Sequence, residues 1–372
     1  MGLFTCPSRG DVTITSWLPG ETLFSLASRH HLVSCNYHAA DTCRQLFGHG
    51  RLRSCHDFPS GIDFFVESTR GRFGRAEEVI FERTPLPFYL PFNTKEQVIR
   101  AIRSMRGDRI GSLRYGLGML LNHFQGRHAL KACELCMKED IERFCVAYWH
   151  HIHQIPGVWR CPLHRRMLMV MAGTDKSASH YSWCLPRRDD LTALASSSSS
   201  SEDPDRLGFL GQLATAALGL TALASDVSLD SERLARVYSA RLVSVGLSDT
   251  NGKLRLPDCI ASVLKSSTPL RAIPELSALP ATGDEARAYV SRVCSRPVVR
   301  MHALQHLFTM VWLFGIWEAF WAAYETDSGD RVGKPGTNPA GTSCLDQGAA
   351  YRYELAKVMA EEAQGLADPP SF

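Results

Sequence analysis

The sequence lacks the short motifs that mark the common catalytic machineries. It has no glycine-rich phosphate loop ending in Lys-Ser or Lys-Thr, no G-x-S-x-G, no H-E-x-x-H and no paired acidic cluster at nuclease-like spacing. Each of these motifs carries part of an active site, so their absence excludes the P-loop nucleotidases, α/β-hydrolases and zincins that depend on them. We therefore expect a protein that is not an enzyme and has no catalytic residues.

The chain also has little net charge. The net charge of +3 indicates no partner by itself. The charges are unevenly distributed, because residues 1–190 carry 25 Lys/Arg against 18 Asp/Glu, whereas residues 191–372 carry 16 against 20. A basic first half favours contact with nucleic acid or another anionic surface, although a chance fluctuation of surface charge would give the same pattern.

We expect neither a secretory leader nor a membrane span. No basic segment followed by an apolar run opens the sequence, and the twelve cysteines are irregularly spread, which favours reduced thiols in the cytoplasm. The segment Leu307–Ala323 is apolar except for Thr309 and Glu318. It is short for a span, and its carboxylate would lie in hydrocarbon. We predict a buried core helix there, no second candidate span and no membrane partner.

Two short helices are predicted near the N-terminus. Glu21–Leu32 has apolar residues near helical spacing, and Ala39–Phe47 is followed by a glycine suited to a helix C-terminus. Such a pair fits a helix-turn-helix, in which Arg44, Arg51 and Arg53 would contact nucleic-acid phosphates or a partner. The alternative is a plain helical hairpin with solvated arginines, a common motif in α-rich domains.

The rest of the chain predicts a mainly α fold in four parts. We expect an N-terminal helical, helix-turn-helix-like region at 1–130, a metal-binding region at 131–190, a helical C-terminal domain at 191–324, and a flexible segment with a terminal helix at 325–372. The six consecutive serines at 196–201 indicate a linker beside the second boundary.

Within these parts, the density of proline and glycine in residues 57–92 predicts a loop-rich connection with an amphipathic piece at Glu77–Glu82, and Arg114–His123 is predicted to form a helix. In the C-terminal domain, Ser231–Val245 and Leu256–Leu264 are predicted helices separated by the turn Asn251-Gly252. They allow a second helix-turn-helix-like unit, with a plain solvated helical surface as the alternative.

Four residues have the spacing of a zinc-ribbon-like metal site. Cys133-Glu134-Leu135-Cys136 is followed, after 24 residues, by Cys161-Pro162-Leu163-His164. Two thiolates from a C-x2-C turn and a thiolate and imidazole from a C-x2-H turn complete a tetrahedral shell around Zn²⁺. A shell with four protein ligands leaves no position for water, so we predict one structural ion held by Cys133, Cys136, Cys161 and His164.

Two alternatives to this site stay open at this point. The first is two unrelated groups of buried thiols with a core histidine. The second is a zinc hydrolase or nuclease using His150, His151 or His153, which lie between the two turns. We prefer supporting roles for these three histidines around the ligands or at a helix end, because a complete ligand set is already close in sequence.

Leu18–Arg29 (LPGETLFSLASR) and Thr84–Phe92 (TPLPFYLPF) are similar to two motifs of one known protein family. Tyr148–His164 is similar to that family's pattern Y-W-H-x-x-H-Q-x-P-G-V-x-x-C-P-x-H, and His302–Gly315 gives a weaker match. On these four stretches the chain resembles the TniQ family, which includes TnsD-type target-site selection proteins. Two departures are the Cys-Glu-Leu-Cys turn, where the family often has Cys-Pro-x-Cys, and Cys145, where glycine is common.

The resemblance implies a transposon target-site selection adaptor. Such proteins recruit a AAA+ ATPase transposition regulator, and they reach DNA directly or through a guide-RNA surveillance complex, often as homodimers. A protein of this kind would be cytoplasmic and nucleoid-associated. The alternative is a zinc-containing helix-turn-helix DNA-binding transcription regulator without a transposon.

Overall fold

The structure, a computed structural model, describes residues 14, 16–50, 56–124, 126, 128–171, 183–194, 203–223, 228–298 and 301–327. This part of the chain is mainly helical, as predicted, with three short strands. The predicted linker at 196–201, the predicted terminal helix, Arg51 and Arg53 lie outside the described residues. The α-helices are α1 (Leu23–Val33), α2 (Ala39–Phe47), α3 (Ile62–Ser68), α4 (Ala76–Arg83), α5 (Lys95–Arg106), α6 (Leu113–Gly116), α7 (Glu134–Phe144), α8 (His151–Gln154), α9 (Pro204–Leu223), α10 (Ser231–Ser244), α11 (Leu256–Ser267), α12 (Gly283–Val293), α13 (Ala303–Phe314) and α14 (Trp317–Thr326).

The first two helices lie where the sequence predicts them. The hydroxyl of Thr22 accepts a hydrogen bond from Ser25 N at 3.1 Å and caps α1. Helix α2 ends at Gly48, whose φ of 73° is the left-handed conformation that glycine adopts without a side-chain clash. The helix-turn-helix character of this pair stays a prediction.

The predicted loop-rich connection at 57–92 is wrong outside its amphipathic piece, Glu77–Glu82, which lies in α4. It contains α3, α4 and a 3₁₀ helix, Leu86–Phe92. Gly61 is the residue before α3, with φ 79°, and Pro85 is the residue before the 3₁₀ helix, whereas Pro87 and Pro91 lie within that 3₁₀ helix. Dense helix breakers therefore mark closely spaced short helices here.

Helix α5 begins with a capping box and the following segment is irregular. Thr94 Oγ1 accepts from Gln97 N, and Gln97 Oε1 accepts from Thr94 N. The helix predicted over Arg114–His123 is wrong for most of its length. Only its first three residues belong to α6, and Asn122 has a left-handed φ of 54°, which interrupts a helix.

A small antiparallel sheet holds the metal-binding region. Its strands are β1 (Lys131–Ala132), β2 (Met169–Met171) and β3 (Leu191–Thr192), in the order β1-β2-β3. Ala132 pairs with Met169, and Met171 pairs with Leu191. The sheet therefore brings the chain just before the first cysteine turn beside the chain just after the second.

The C-terminal region is helical, as predicted, with one helix that the sequence reading missed. Helix α12 starts with a capping box in which Thr282 Oγ1 accepts from Glu285 N and the Glu285 carboxylate accepts from Thr282 N. The pattern T-x-x-E is a recognisable helix start, so a signal for α12 was present in the sequence.

The apolar segment Leu307–Ala323 is buried along its first half but is not one helix. It is divided between α13 and α14, which meet at 93°, because Gly315 takes φ 77°. By length and composition this bent pair could be a membrane span, and so could α9, although the sequence reading recognised no second candidate. Core helices of globular proteins meet the same criteria, and α9 packs against α13.

The predicted regions share one continuous hydrophobic core in the described residues. Helix α9 packs against the 3₁₀ helix Leu86–Phe92, and Leu229 N donates to Pro91 O at 2.7 Å. Phe92 stacks on His306 with ring centroids 4.6 Å apart. The C-terminal helices therefore lie directly on the N-terminal region. The division of the chain into four domains stays a prediction.

Candidate metal centre

Two tight turns position the four predicted ligands. Cys133 follows β1 and is the N-cap residue of α7, and Cys136 lies in the first turn of that helix. Cys161 and His164 lie in a second turn, in which Cys161 N donates to Arg166 O at 2.7 Å and Arg165 N donates to Cys161 O at 2.8 Å. The helix start and the hydrogen-bonded turn hold the two halves of the site in fixed conformations.

The structure brings these four side chains together at tetrahedral spacing. Their donor atoms all lie within 4.8 Å of one another. His164 Nδ1 is 3.3 Å from Cys136 Sγ and 3.6 Å from Cys133 Sγ, and Cys136 Sγ is 3.8 Å from Cys161 Sγ. Metal–sulfur bonds of about 2.3 Å and metal–nitrogen bonds of about 2.0 Å give edges of about 3.5–3.8 Å in a tetrahedron. The donor set therefore fits one metal ion.

The environment of the cluster suits a closed site. The three cysteines are at most 2 % exposed. Hydrogen bonds among the three thiols lower the pKa of Cys133 and raise the pKa of Cys136 and Cys161, so the negative charge is concentrated on Cys133 when no ion is bound. His164 Nε2 lies 3.0 Å from the Glu139 carboxylate, which orients Nδ1 toward the sulfur atoms.

The three intervening histidines have separate partners. His153 Nε2 lies 3.5 Å from Cys161 Sγ and 3.8 Å from Cys136 Sγ, and burial lowers the pKa of His153 to about 3. His150 contacts the Asp140 carboxylate at 2.9 Å. His151 Nε2 donates to Thr84 O at 2.8 Å. They do not converge on one point, as an open catalytic zinc site would need.

Comparison with known proteins finds relatives of the N-terminal part of the chain. The TniQ family model matches residues 14–168. Residues 14–168 are a TniQ domain. The chain is also 24 % identical over 150 residues to the Transposon Tn7 transposition protein TnsD of Escherichia coli. That match covers 40 % of this chain and 29 % of the relative, so the chain spans less than a third of TnsD in the match.

The motifs of the TniQ domain meet beside the metal centre. Glu21, from the first motif, binds Arg29 through both carboxylate oxygens at 2.7 and 2.6 Å. Thr22 N donates to Trp149 O at 3.0 Å, and His151 N donates to Gly20 O at 2.7 Å. Together with the bond from His151 to Thr84, these contacts fasten the first two motifs to the segment between the cysteine turns. The three motifs, although far apart in sequence, are therefore parts of one packed unit.

The glycine that is common at position 145 in the family has a structural explanation. Cys145 ends α7 with φ 59° and ψ 14°, the left-handed conformation. A side chain costs free energy in this conformation and glycine does not. The departure therefore affects the end of α7 and removes no metal ligand.

A second buried polar centre was missed in the sequence. The Glu275 carboxylate accepts from Trp159 Nε1 at 2.8 Å and from Gly157 N at 3.0 Å, contacts His128 Nδ1 at 2.8 Å and lies 3.8 Å from Lys131 Nζ. We call Glu275, Lys131, His128 and Trp159 the Glu275 centre. Lys131 and Glu275 are 144 positions apart, so no local pattern links them.

Burial and charge explain why Lys131 and Glu275 stabilise each other. The Lys131 side chain is fully buried and also donates to Ile155 O and Val158 O. Burial lowers the pKa of Lys131, and Glu275 partly offsets this effect. Burial would raise the pKa of Glu275, but Lys131 and His128 outweigh it and lower the pKa to about 2. The C-terminal region thus supplies the counter-charge for a lysine inside the TniQ domain.

Of the predicted nucleic-acid contacts, the structure describes one. Arg44 is on the exposed side of α2, and its guanidinium forms an ion pair with Asp41 at 2.7 Å. This pairing partly neutralises its charge. Arg51 and Arg53 lie outside the described residues, so their role stays a prediction.

Proposed function

We propose that this chain is a target-site selection adaptor in transposition and not an enzyme. The observation that carries the proposal is the TniQ domain, whose motifs pack around the predicted metal ligands, together with the similarity to TnsD. In this proposal the chain reaches target DNA, directly or through a guide-RNA surveillance complex, and recruits a AAA+ ATPase transposition regulator. It acts as a homodimer in the cytoplasm, associated with the nucleoid.

The ion that fits the cluster best is Zn²⁺. Three thiolates and one imidazole are the donors that zinc prefers among biological ions, and a shell of four protein ligands serves structure because no position is left for water. Cys133 and Cys136 would hold it from one turn, Cys161 and His164 from the other. Zinc would then stabilise the surface through which the adaptor contacts its partners.

The test is to purify the tagged full-length chain from its host, with and without nuclease treatment. We expect the AAA+ ATPase to be retained in both samples, and DNA or a guide RNA with its proteins to be retained only without nuclease. A chain that retains a short operator duplex and no ATPase would instead be the transcription regulator. Retention of neither nucleic acid nor ATPase would contradict the proposed function.

A further inference from the structure

We propose that the groove between α5 and α6 contacts the sugar–phosphate backbone of duplex DNA. This inference rests on the proposed function and deepens it, because it names the surface that meets the target. The sequence reading assigned phosphate contacts to Arg44, Arg51 and Arg53, and α5 was not among the candidates.

The groove has the polar groups that bind phosphates. It has a volume of about 250 Å³, and Arg100, Arg103 and Ser104 of α5 line it together with Ser112. No carboxylate is among the described residues that line it. Arginine guanidinium groups and serine hydroxyls are frequent phosphate ligands in protein–DNA complexes. The composition of the groove thus matches a polyanion.

The fold presents these arginines outward. The opposite side of α5 is anchored in the core by Val98, Ile102 and Met105, so Arg100 and Arg103 are exposed. Gln97 Nε2 donates to Gly116 O at 3.3 Å and fastens α6 beside α5. The two walls of the groove are therefore held together by a hydrogen bond and a shared core.

Two other arginines of this region pair with carboxylates of other segments. Arg106 contacts the Asp63 and Glu77 carboxylates at 2.8 and 2.7 Å, and Arg114 contacts the buried Asp57 carboxylate at 2.7 Å. These pairs join α5 and α6 to the rest of the N-terminal region. Arg100 and Arg103 are exposed and line the open groove.

The charged residues around the groove balance one another, so the basic character belongs to the groove itself. Lys95 and Arg109 are exposed near the two ends of α5. The acidic neighbours are Glu96, in the first turn of α5, and Asp108, which pairs with Arg109 at 3.5 Å. Neither acidic side chain lines the groove.

The aromatic content points to backbone contact with a duplex. Tyr115 on α6 is 78 % exposed. Its hydroxyl is a group that commonly binds phosphate oxygens. Single strands are usually held by a series of aromatic side chains that stack on successive bases, and the described lining of this groove contains no aromatic side chain. We therefore commit to the duplex.

The main test measures duplex DNA binding by the full-length chain across a salt series, by fluorescence anisotropy. The Arg100→Ala/Arg103→Ala variant should bind more weakly, and the slope of log K against log salt should become less negative by about 1.8, since each lost phosphate contact contributes about 0.9. The matched control, Arg75→Ala/Arg188→Ala, removes two exposed arginines on other surfaces and should leave the slope unchanged.

A second variant adds charge without disturbing the core. A Cβ atom at Gly116 would meet no atom within 4 Å, so Gly116→Glu places a carboxylate at the groove without a clash. We expect weaker DNA binding by Gly116→Glu, with unchanged circular dichroism and Tm. Gly116→Gln is the neutral control and should bind DNA like the wild type.

Several results would overturn the inference. These are an unchanged salt slope in the folded arginine variant, an equal loss in the control pair, no duplex binding by the wild type, or an effect on binding of structured RNA but not DNA. Loss of the ATPase with intact DNA binding would identify the groove as a protein-docking surface. If DNA binding is unaffected while the ATPase is still retained, the inference fails and the proposed function stands.

Discussion

The metal centre and the Glu275 centre are both buried polar clusters, but they are assembled differently. The metal centre takes all four donors from two local turns within residues 133–164. The Glu275 centre pairs a lysine of the TniQ domain with a carboxylate from the C-terminal region, 144 positions away. One cluster would hold the domain together through an ion, whereas the other joins the domain to the rest of the chain.

From this comparison we infer that the TniQ domain needs the C-terminal region for part of its stability. Without Glu275, Lys131 would be a buried cation with no carboxylate within salt-bridge distance among the described residues. An uncompensated buried charge costs several kcal/mol. The family match ends at residue 168, so it includes Lys131 but not its partner Glu275. We therefore expect a chain that is truncated at residue 168 to be less stable than the full chain.

The largest expected effect comes from breaking the metal centre. Cys161→Ser should give insoluble or unfolded protein, because the free energy of binding a structural zinc ion, about 10 kcal/mol or more, contributes directly to folding. Solubility, circular dichroism and metal content measure this. Cys35→Ser, which changes an exposed cysteine, is the control and should behave like the wild type. A soluble Cys161→Ser protein with unaltered thermal stability would refute the structural role.

The next effect comes from breaking the Glu275 centre. Glu275→Gln keeps the shape but leaves Lys131 uncompensated, so we expect a loss of about 3–5 kcal/mol in the free energy of unfolding, measured with urea. Glu318→Gln, on the exposed side of α14, should change little. Adding Lys131→Met to Glu275→Gln should recover part of the loss. Losses that simply add in the double variant would show that the two charges do not interact.

The pH dependence of stability sharpens the same comparison. The pKa of Glu275 is about 2 in the folded chain and about 4.3 when unfolded. The unfolded state therefore binds the proton first as the pH falls. The contribution of Glu275, about 3 kcal/mol, is complete above about pH 4.5 and is lost between about pH 4.5 and 2. Urea unfolding at several pH values should show a shallower dependence for Glu275→Gln, and an identical dependence would contradict the assignment.

The smallest effect concerns the end of α7, next to the metal centre. Cys145→Gly should raise the free energy of unfolding by about 1 kcal/mol, because glycine adopts the left-handed conformation without the penalty of a side chain. Cys145→Ala keeps the Cβ atom and removes the thiol, so it should show no such gain. Stabilisation by both variants would assign the effect to the thiol instead of the backbone.

The sequence contained enough local information for the metal cluster and several helices. Helix α2 was predicted with its observed bounds, because apolar spacing and Gly48 mark its face and its end. The C-x2-C and C-x2-H turns predicted the four donors that the fold brings together, because ligand spacing in a turn is a local property.

The wrong and missing predictions concern regions whose structure depends on contacts with residues distant in sequence. Residues 57–92 looked like a loop, but packing on the core stabilises short helices between their glycines and prolines. The break at Gly315 could not be separated from an ordinary helical glycine by hydrophobic pattern. The pairing of Lys131 with Glu275 depends on tertiary structure alone, and Arg100 and Arg103 became candidates only when α6 formed the other wall of their groove.

The most direct test of the central claim is X-ray absorption spectroscopy at the zinc edge, combined with elemental analysis of the soluble full-length chain. We predict about one zinc ion per chain, bound by three sulfur atoms at about 2.3 Å and one nitrogen atom at about 2.0 Å. Well-folded protein without metal, or a shell that includes a solvent oxygen, would contradict a closed structural site built from Cys133, Cys136, Cys161 and His164.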